Sequence, residues 1–340
     1  MMLEKLFKLK AHNTTVRTEI IAGITTFLAM AYILFVNPSI LGATGMDKGA
    51  VFVATCLAAA IGCVLMGLIA NYPIALAPGM GLNAFFTYTV VLHMGYTWQI
   101  ALGAVFLSAV IFFAMSLFKI REWIIASIPL PLRAGIGAGI GLFLAIIALE
   151  GAGIVVDNPA TLVGIGDLTK PGPLLAMLGF VVIVVLEARR VTGAVLIGIL
   201  LVTFISMGIG LSPFAGVFSA PPSIAPTFLQ LDIAGAFNVG LVSVIFAFLF
   251  VDVFDNTGTL LGVTKRAGLA DIDWKDITTA APVTVTALTM PLTYSIANGI
   301  AFGFITWTLV KLLSGRVKEI NAALVILSIL FVIKLGWLSA

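Results

Sequence analysis

Long apolar blocks separated by short polar ones dominate this chain. Eleven can be marked, at 19–41, 50–70, 74–92, 98–119, 132–155, 173–188, 191–211, 236–263, 277–295, 297–313 and 322–338. A helix rising 1.5 Å per residue needs about 20 residues to cross a hydrocarbon layer of roughly 30 Å, and most blocks approach that length. The pattern predicts one all-α polytopic membrane domain rather than a string of soluble ones.

Two blocks carry polar residues where lipid would reject them. In the eighth, the run FVDVFDNTGTLLG, Phe250 to Gly262, holds Asp252, Asp255, Asn256 and Thr259 at spacings of three and four, so they share a helix face. An ionised Asp at the bilayer centre costs about 2.5–3.5 kcal/mol on insertion scales. This face is therefore expected to look into a cavity or a partner and to bind something polar. In the third block, IALAPGMGLNAFFTYTVVL, Pro78, Gly79 and Gly81 fall mid-segment and Pro73 stands at its start. Proline removes a backbone donor and glycine loosens the helix, so regular helix is expected to stop around Pro78–Gly81. A simple proline kink is one reading. The other is a broken helix lining a midplane site, the arrangement by which secondary transporters hold substrate, and Asn83, Phe85 and Phe86 just past the break favour it.

Composition agrees with the membrane setting: 61% of residues are hydrophobic, 10% are charged and mean hydropathy is +1.19, against roughly 25% charged in soluble domains. The net charge of +3 is too small to argue for nucleic acid. Its distribution is more informative. With the N-terminus in the cytoplasm, Lys119 and Arg121, Arg189 and Arg190, Lys265 and Arg266, and Lys311, Arg316 and Lys318 all fall on the cytoplasmic side, whereas the opposite loops hold chiefly Lys48 and Lys170. A multi-pass protein of the plasma or inner membrane is expected. Residues 1–15, with Leu3, Leu6, Phe7 and Leu9 among Lys5, Lys8 and Lys10, read as a cytoplasmic interfacial helix and not as a cleaved signal.

Other chemistry is sparse. Cys56 and Cys63, seven apart, lie about 10 Å apart along a helix, too far to bridge, and read as small core hydrophobes. His12 and His93 sit at segment ends with no zinc spacing, and no phosphate-binding, nucleophile-elbow or paired-His motif occurs. No enzyme, cofactor or metal is expected. Glycines at 135, 137, 139 and 141 read as a packing face or a mobile gate. Glu150 reads as interfacial, and Lys334 can snorkel. Thr25 and Thr26 in the first segment either back-bond to their own helix or line the site.

At three places the residues resemble one family. APGMGLNAFF in the third segment, FVDVFDNTGTLLGVTKRAGL in the eighth and ITTAAPVTVTALTMPLTYSIANGIAFGF near the C-terminus look like the azaguanine-type purine permeases of the nucleobase/cation symporter, xanthine/uracil permease, family. The resemblance implies an inverted-repeat (7+7) fold with core and gate domains and import of guanine, hypoxanthine, xanthine or adenine with a proton. Substrate would sit between broken third and tenth segments. It also implies that Asp255 accepts N–H groups from the base, with Thr259 and Asn256 as further polar contacts and Asn83, Ala84 and Phe85 following the third-segment break. The chemistry is compatible: a carboxylate can accept two N–H donors, and an aromatic face offers stacking worth roughly 1–3 kcal/mol. Two acids one helical turn apart do not both ionise easily, so Asp252 is expected to carry the proton and Asp255 to hold the base.

The chain departs from that family after the eighth segment. VTKRAGLAD passes directly into IDWKDITTAAP, which resembles the entry to the family's thirteenth segment, so the ninth to twelfth are expected to be absent and the second repeat incomplete. With them goes the tenth-segment glutamate, for which no retained residue substitutes. The expected organisation is an interfacial helix (1–15), core segments one to four (16–120), gate segments five to seven (121–212), core segment eight (213–267), a junction (268–275) and C-terminal gate-type segments (276–340). A homodimer is expected through the gate domains. Two other readings stay open: an inactive or regulatory remnant of such a permease, and an anion carrier of the same fold, against which the acidic site argues.

Overall fold

The computed structural model describes residues 7–10, 14–118, 120–214, 216, 219–237, 242–253 and 275–337. The chain divides into two compact units, Met1–Pro78 with Ala148–Phe228, and Gly79–Ile147 with Leu229–Ala340.

In the first unit, α1 (Val16–Met30) is capped by Thr15, whose hydroxyl accepts from the Thr18 amide at 3.2 Å. A short break leads to α2 (Ile33–Gly42) and then to α3 (Lys48–Leu65), where Asp47 accepts from the Ala50 amide at 2.7 Å. The α2–α3 pair is pinned by a buried hydrogen bond from Asn37 Nδ2 to Thr55 Oγ1, 2.7 Å, which removes two polar groups from an apolar interior. α3 widens into a π-helical turn at Met66–Ala70 and ends at Asn71, whose φ of 53° is left-handed. Residues 71–79 are then non-helical. The third segment is thus non-helical from its start through residue 79, and the interruption, 71–79, is longer than a break at Pro78–Gly81. Pro73 and Pro78 bracket it and deny it helical hydrogen bonds from both sides.

Also in this unit, an antiparallel hairpin, β1 (Val155–Asn158) and β2 (Leu162–Ile165), follows the fifth segment, an addition to the all-α expectation. The helices Pro171–Ala188 and Ala194–Gly208 are joined through Gly193 at φ 79°. Between α8 (Pro171–Ala188) and α9 (Ala194–Gly208), Gly179 and Gly198 admit Val202 and Ile183 where a Cβ would collide.

The second unit holds α4 (Met80–Ala84) with its π-helical continuation Phe85–His93, α5 (Trp98–Leu117), α6 (Ile120–Ser127), α7 (Leu130–Gly151, whose last turn belongs to the first unit), α10 (Ile233–Ala236), α11 (Val242–Val253), α12 (Ile277–Leu292), α13 (Ile296–Leu313) and α14 (Ala322–Trp337). α12 and α13 form a tight pair. Gly299 and Gly303 of α13 face Met290 and Thr286 of α12 so closely that a Cβ at either would clash. Thr308 and Ser328 share a 2.8 Å hydrogen bond between α13 and α14, beside the Phe304 and Phe331 rings at 5.6 Å. The glycine face of α7 splits in two. A Cβ on Gly135 would stand 3.1 Å from the Val283 carbonyl, and one on Gly139 would stand 2.5 Å from Met290 Sδ, whereas Gly137 and Gly141 meet nothing within 4 Å.

Among the described residues, six helices are long and apolar enough to cross a membrane, and four shorter apolar helices accompany them. Large apolar side chains such as Phe113 and Phe180 stand more than 60% exposed, which suits lipid and not water.

Candidate functional site

The helical half of the third segment begins at Met80, immediately after Gly79, and carries Asn83, Ala84 and Phe85. Asn83 is half-buried, Ala84 fully buried and Phe85 only 3% exposed. The Phe85 ring meets Phe248 of α11 edge to face, centroids 5.1 Å apart at 80°, and Phe86 lies against the same ring at 6.4 Å. Phe248 is one helical turn before Asp252, which is half-buried in the last described turn of α11. The second half of the third segment and the start of the acidic segment are therefore packed together by three rings. That packing covers nearly all of the Phe85 ring. Asp255, Asn256, Thr259 and the junction near Gly268–Asp271 lie outside the described residues.

Sequence reasoning passed over two nearby groups. Thr87, four residues past Asn83, is fully buried, and its hydroxyl has no hydrogen-bond partner among the described residues. Thr89 Oγ1 donates to the Tyr294 carbonyl at 2.7 Å and ties the third segment to the α12–α13 turn. Tyr294 has a φ of 49°, and its ring packs edge to face on Phe143 of α7 at 6.0 Å. Hydroxyls at 87 and 89 in an apolar run were the available signal.

Thr25 and Thr26 belong to the other unit. Thr26 Oγ1 donates to the Ala22 carbonyl of its own helix at 2.8 Å, while Thr25 is exposed. Thr26 also lines a cavity of about 500 Å³ with Glu19, Tyr72, Cys56 and Cys63. Among the described residues no three His, Cys, Asp or Glu side chains are grouped to hold a metal ion. Lys334 turns toward protein: its Nζ lies 3.4 Å from Asn298 Oδ1.

The densest electrostatic feature joins the N-terminus of α12 to the C-terminus of α13. Lys311 is fully buried, with Nζ 2.6 Å from Glu319, 3.5 Å from Asp276, 3.0 and 3.1 Å from the Thr278 and Thr279 hydroxyls, and 5.0 Å from the Trp307 ring centroid. Arg316 Nη1 pairs with Asp276 at 2.7 Å. Asp276 caps α12 and accepts from Thr278 Oγ1 and Thr279 Oγ1, both at 2.8 Å. The Thr278 and Thr279 hydroxyls, with the Thr278 amide and Arg316, hold its carboxyl far below the usual carboxylate range. A buried lysine persists here because two carboxylates and two hydroxyls surround it. In the sequence these charges are separate, and Lys311 reads as one more cytoplasmic loop cation.

Comparison with known proteins gives a consistent result. Residues 17–281 match the model of the Permease family of the xanthine/uracil type. Adenine permease AdeP of Escherichia coli K12 is 39% identical over 431 aligned positions, spanning all of this chain and 97% of that protein. Guanine/hypoxanthine permease PbuG of Bacillus subtilis is 38% identical over 434, spanning 97% of this chain and 99% of its own. Against 340 residues, these alignments leave about ninety positions of the adenine permease and about a hundred of the guanine/hypoxanthine permease facing no residue here. Guanine/hypoxanthine permease GhxP of E. coli O157:H7, 40% identical over 281 positions, aligns with 80% of this chain but only 62% of itself.

Proposed function

This chain belongs to the xanthine/uracil-type Permease family, a family of membrane transporters and not of enzymes, and we propose on that footing that it carries purine nucleobases inward with protons. In this reading the base lies between the helical half of the third segment and the acidic face of the eighth. Asp255 accepts the N–H groups of the purine edge, Asn256 and Thr259 complete the polar contact, and Asp252 carries the proton. Asn83, Ala84 and Phe85 form the opposing wall. The observation that supports it most is the ring contact of Phe85 and Phe86 with Phe248, one turn from Asp252. The protein would sit in the plasma or inner membrane with its N-terminus in the cytoplasm, as a homodimer.

The test is uptake of radiolabelled adenine and guanine by cells lacking their own purine uptake. Saturable uptake that collapses with a protonophore is expected, and Asp252→Asn should remove its dependence on the proton gradient. An Asp252→Asn variant that stays fully proton-coupled would contradict the division of roles between the two acids. The shortfall of about ninety positions favours one second reading, a stably inserted remnant that binds a base without moving it. No uptake from a chain shown to be in the membrane would support that reading.

A further inference from the structure

After its left-handed turn at Asn71, the chain runs back beside the helix it has just left, so that residue 76 meets residues 62 and 63 of α3. Two observations fix that meeting. The Leu76 amide donates to Cys63 Sγ at 3.2 Å, and the Cys63 thiol donates to the Leu76 carbonyl at 3.3 Å. Next to it, a Cβ on Gly62 would lie 3.3 Å from Leu76 Cβ, tighter than an ordinary contact. Gly62, which has no side chain, stands where the Leu76 side chain comes against α3. The neighbouring thiol, a weak donor and a weak acceptor, serves the carbonyl and the amide of Leu76, which lie in successive peptide units of this extended stretch. At membrane depth such groups must find partners in protein or in a lined cavity. Cys63, Ile74 and Ala75 also border the same cavity of about 500 Å³.

We propose that Gly62 and Cys63 form a seat for Leu76 and that Cys63 is a positioning residue for transport. The seat holds the extended half of the third segment, which leads through residues 77–79 into the helix bearing Asn83, Ala84 and Phe85. The positioning role rests on the reading of those three residues as one wall of the base site; the seat itself does not. A cysteine that merely filled space would tolerate alanine at least as well as serine. A seat ranks them the other way, because a hydroxyl can still donate and accept.

The experiment measures amide hydrogen exchange in peptides covering residues 72–79, and purine affinity by equilibrium dialysis, on the purified full chain in lipid nanodiscs. Losing a hydrogen bond worth about 1.4 kcal/mol corresponds to roughly tenfold. Exchange near Leu76 should rise about tenfold in Cys63→Ala and stay within about threefold of wild type in Cys63→Ser. It should be unchanged in Cys56→Ala, which alters the same helix and cavity. Gly62→Ala, which keeps the thiol but crowds Leu76, should raise exchange by a smaller factor and stands in if Cys63→Ala does not fold. Affinity should fall about five- to tenfold in Cys63→Ala and be rescued by serine. Unchanged exchange in both Cys63→Ala and Gly62→Ala, or serine no better than alanine, overturns the seat. Faster exchange with undiminished affinity overturns the positioning role. If wild type binds no purine, the functional reading fails and the exchange comparison alone decides the seat.

Discussion

Asp276 shows how much one capping residue can hold together. Its carboxylate satisfies the first turn of α12, receives two threonine hydroxyls and Arg316, and stands beside buried Lys311. Because folding lowers its proton affinity, its contribution is complete above the unfolded value near pH 4 and fades as pH falls through the lower folded one. Thermal unfolding in detergent should therefore show a midpoint that falls on acidification. Asp276→Asn should melt several degrees lower at pH 7 but decline less steeply below about pH 4, the two curves converging at the acid end. Parallel curves would mean that other carboxylates set the acid sensitivity. The pieces of this cluster were visible in the sequence, but their meeting was not. Asp276 and Lys311 come together only because α12 and α13 fold back on each other at Tyr294 and Ser295, and hydropathy carries no sign of which charges such a hairpin apposes.

At the scale of elements, the four glycines of α7 separate packing from mere composition. Gly139 abuts Met290 and Ala287 of α12, so Gly139→Ala should destabilise by about 1–3 kcal/mol. Gly137 faces open space, so Gly137→Ala should be neutral or stabilising by up to about 1 kcal/mol. Chemical or thermal unfolding of the two variants side by side checks the difference, and equal effects would show that α7 does not pack on α12 through this face. The sequence treats all four glycines alike, as a packing face or a mobile gate, because it does not show which turn meets a neighbour. The third segment was legible in the same partial way. Pro73 and Pro78 announced an interruption, but its start was set by the left-handed turn at Asn71, which needs no proline or glycine. The hairpin at Val155–Ile165 escaped notice because two four-residue strands carry too little alternation to stand out beside a spanning segment.

For the whole molecule, the decisive fact is length. Relatives that align along nearly their whole length carry about ninety to a hundred positions that this chain lacks, and we read those as the ninth to twelfth segments, joined out near Gly268–Asp271. If so, the acidic face of the eighth segment keeps the third segment as one wall and lacks the other. Inserting the corresponding block of the adenine permease at that point should raise adenine uptake at least tenfold over the chain as it stands; no gain would show that this chain either transports unaided or has lost more than the block. On the proposed function, the retained acidic face still recognises a purine. Equilibrium dialysis of the purified chain against radiolabelled adenine and guanine, beside Asp255→Asn, addresses it without requiring transport. A hydrogen bond to a charged group is worth about 1.5–3 kcal/mol, so saturable binding weakened roughly ten- to hundredfold by the substitution is expected. Binding that is absent from the wild-type chain, or equal in the variant, would contradict it.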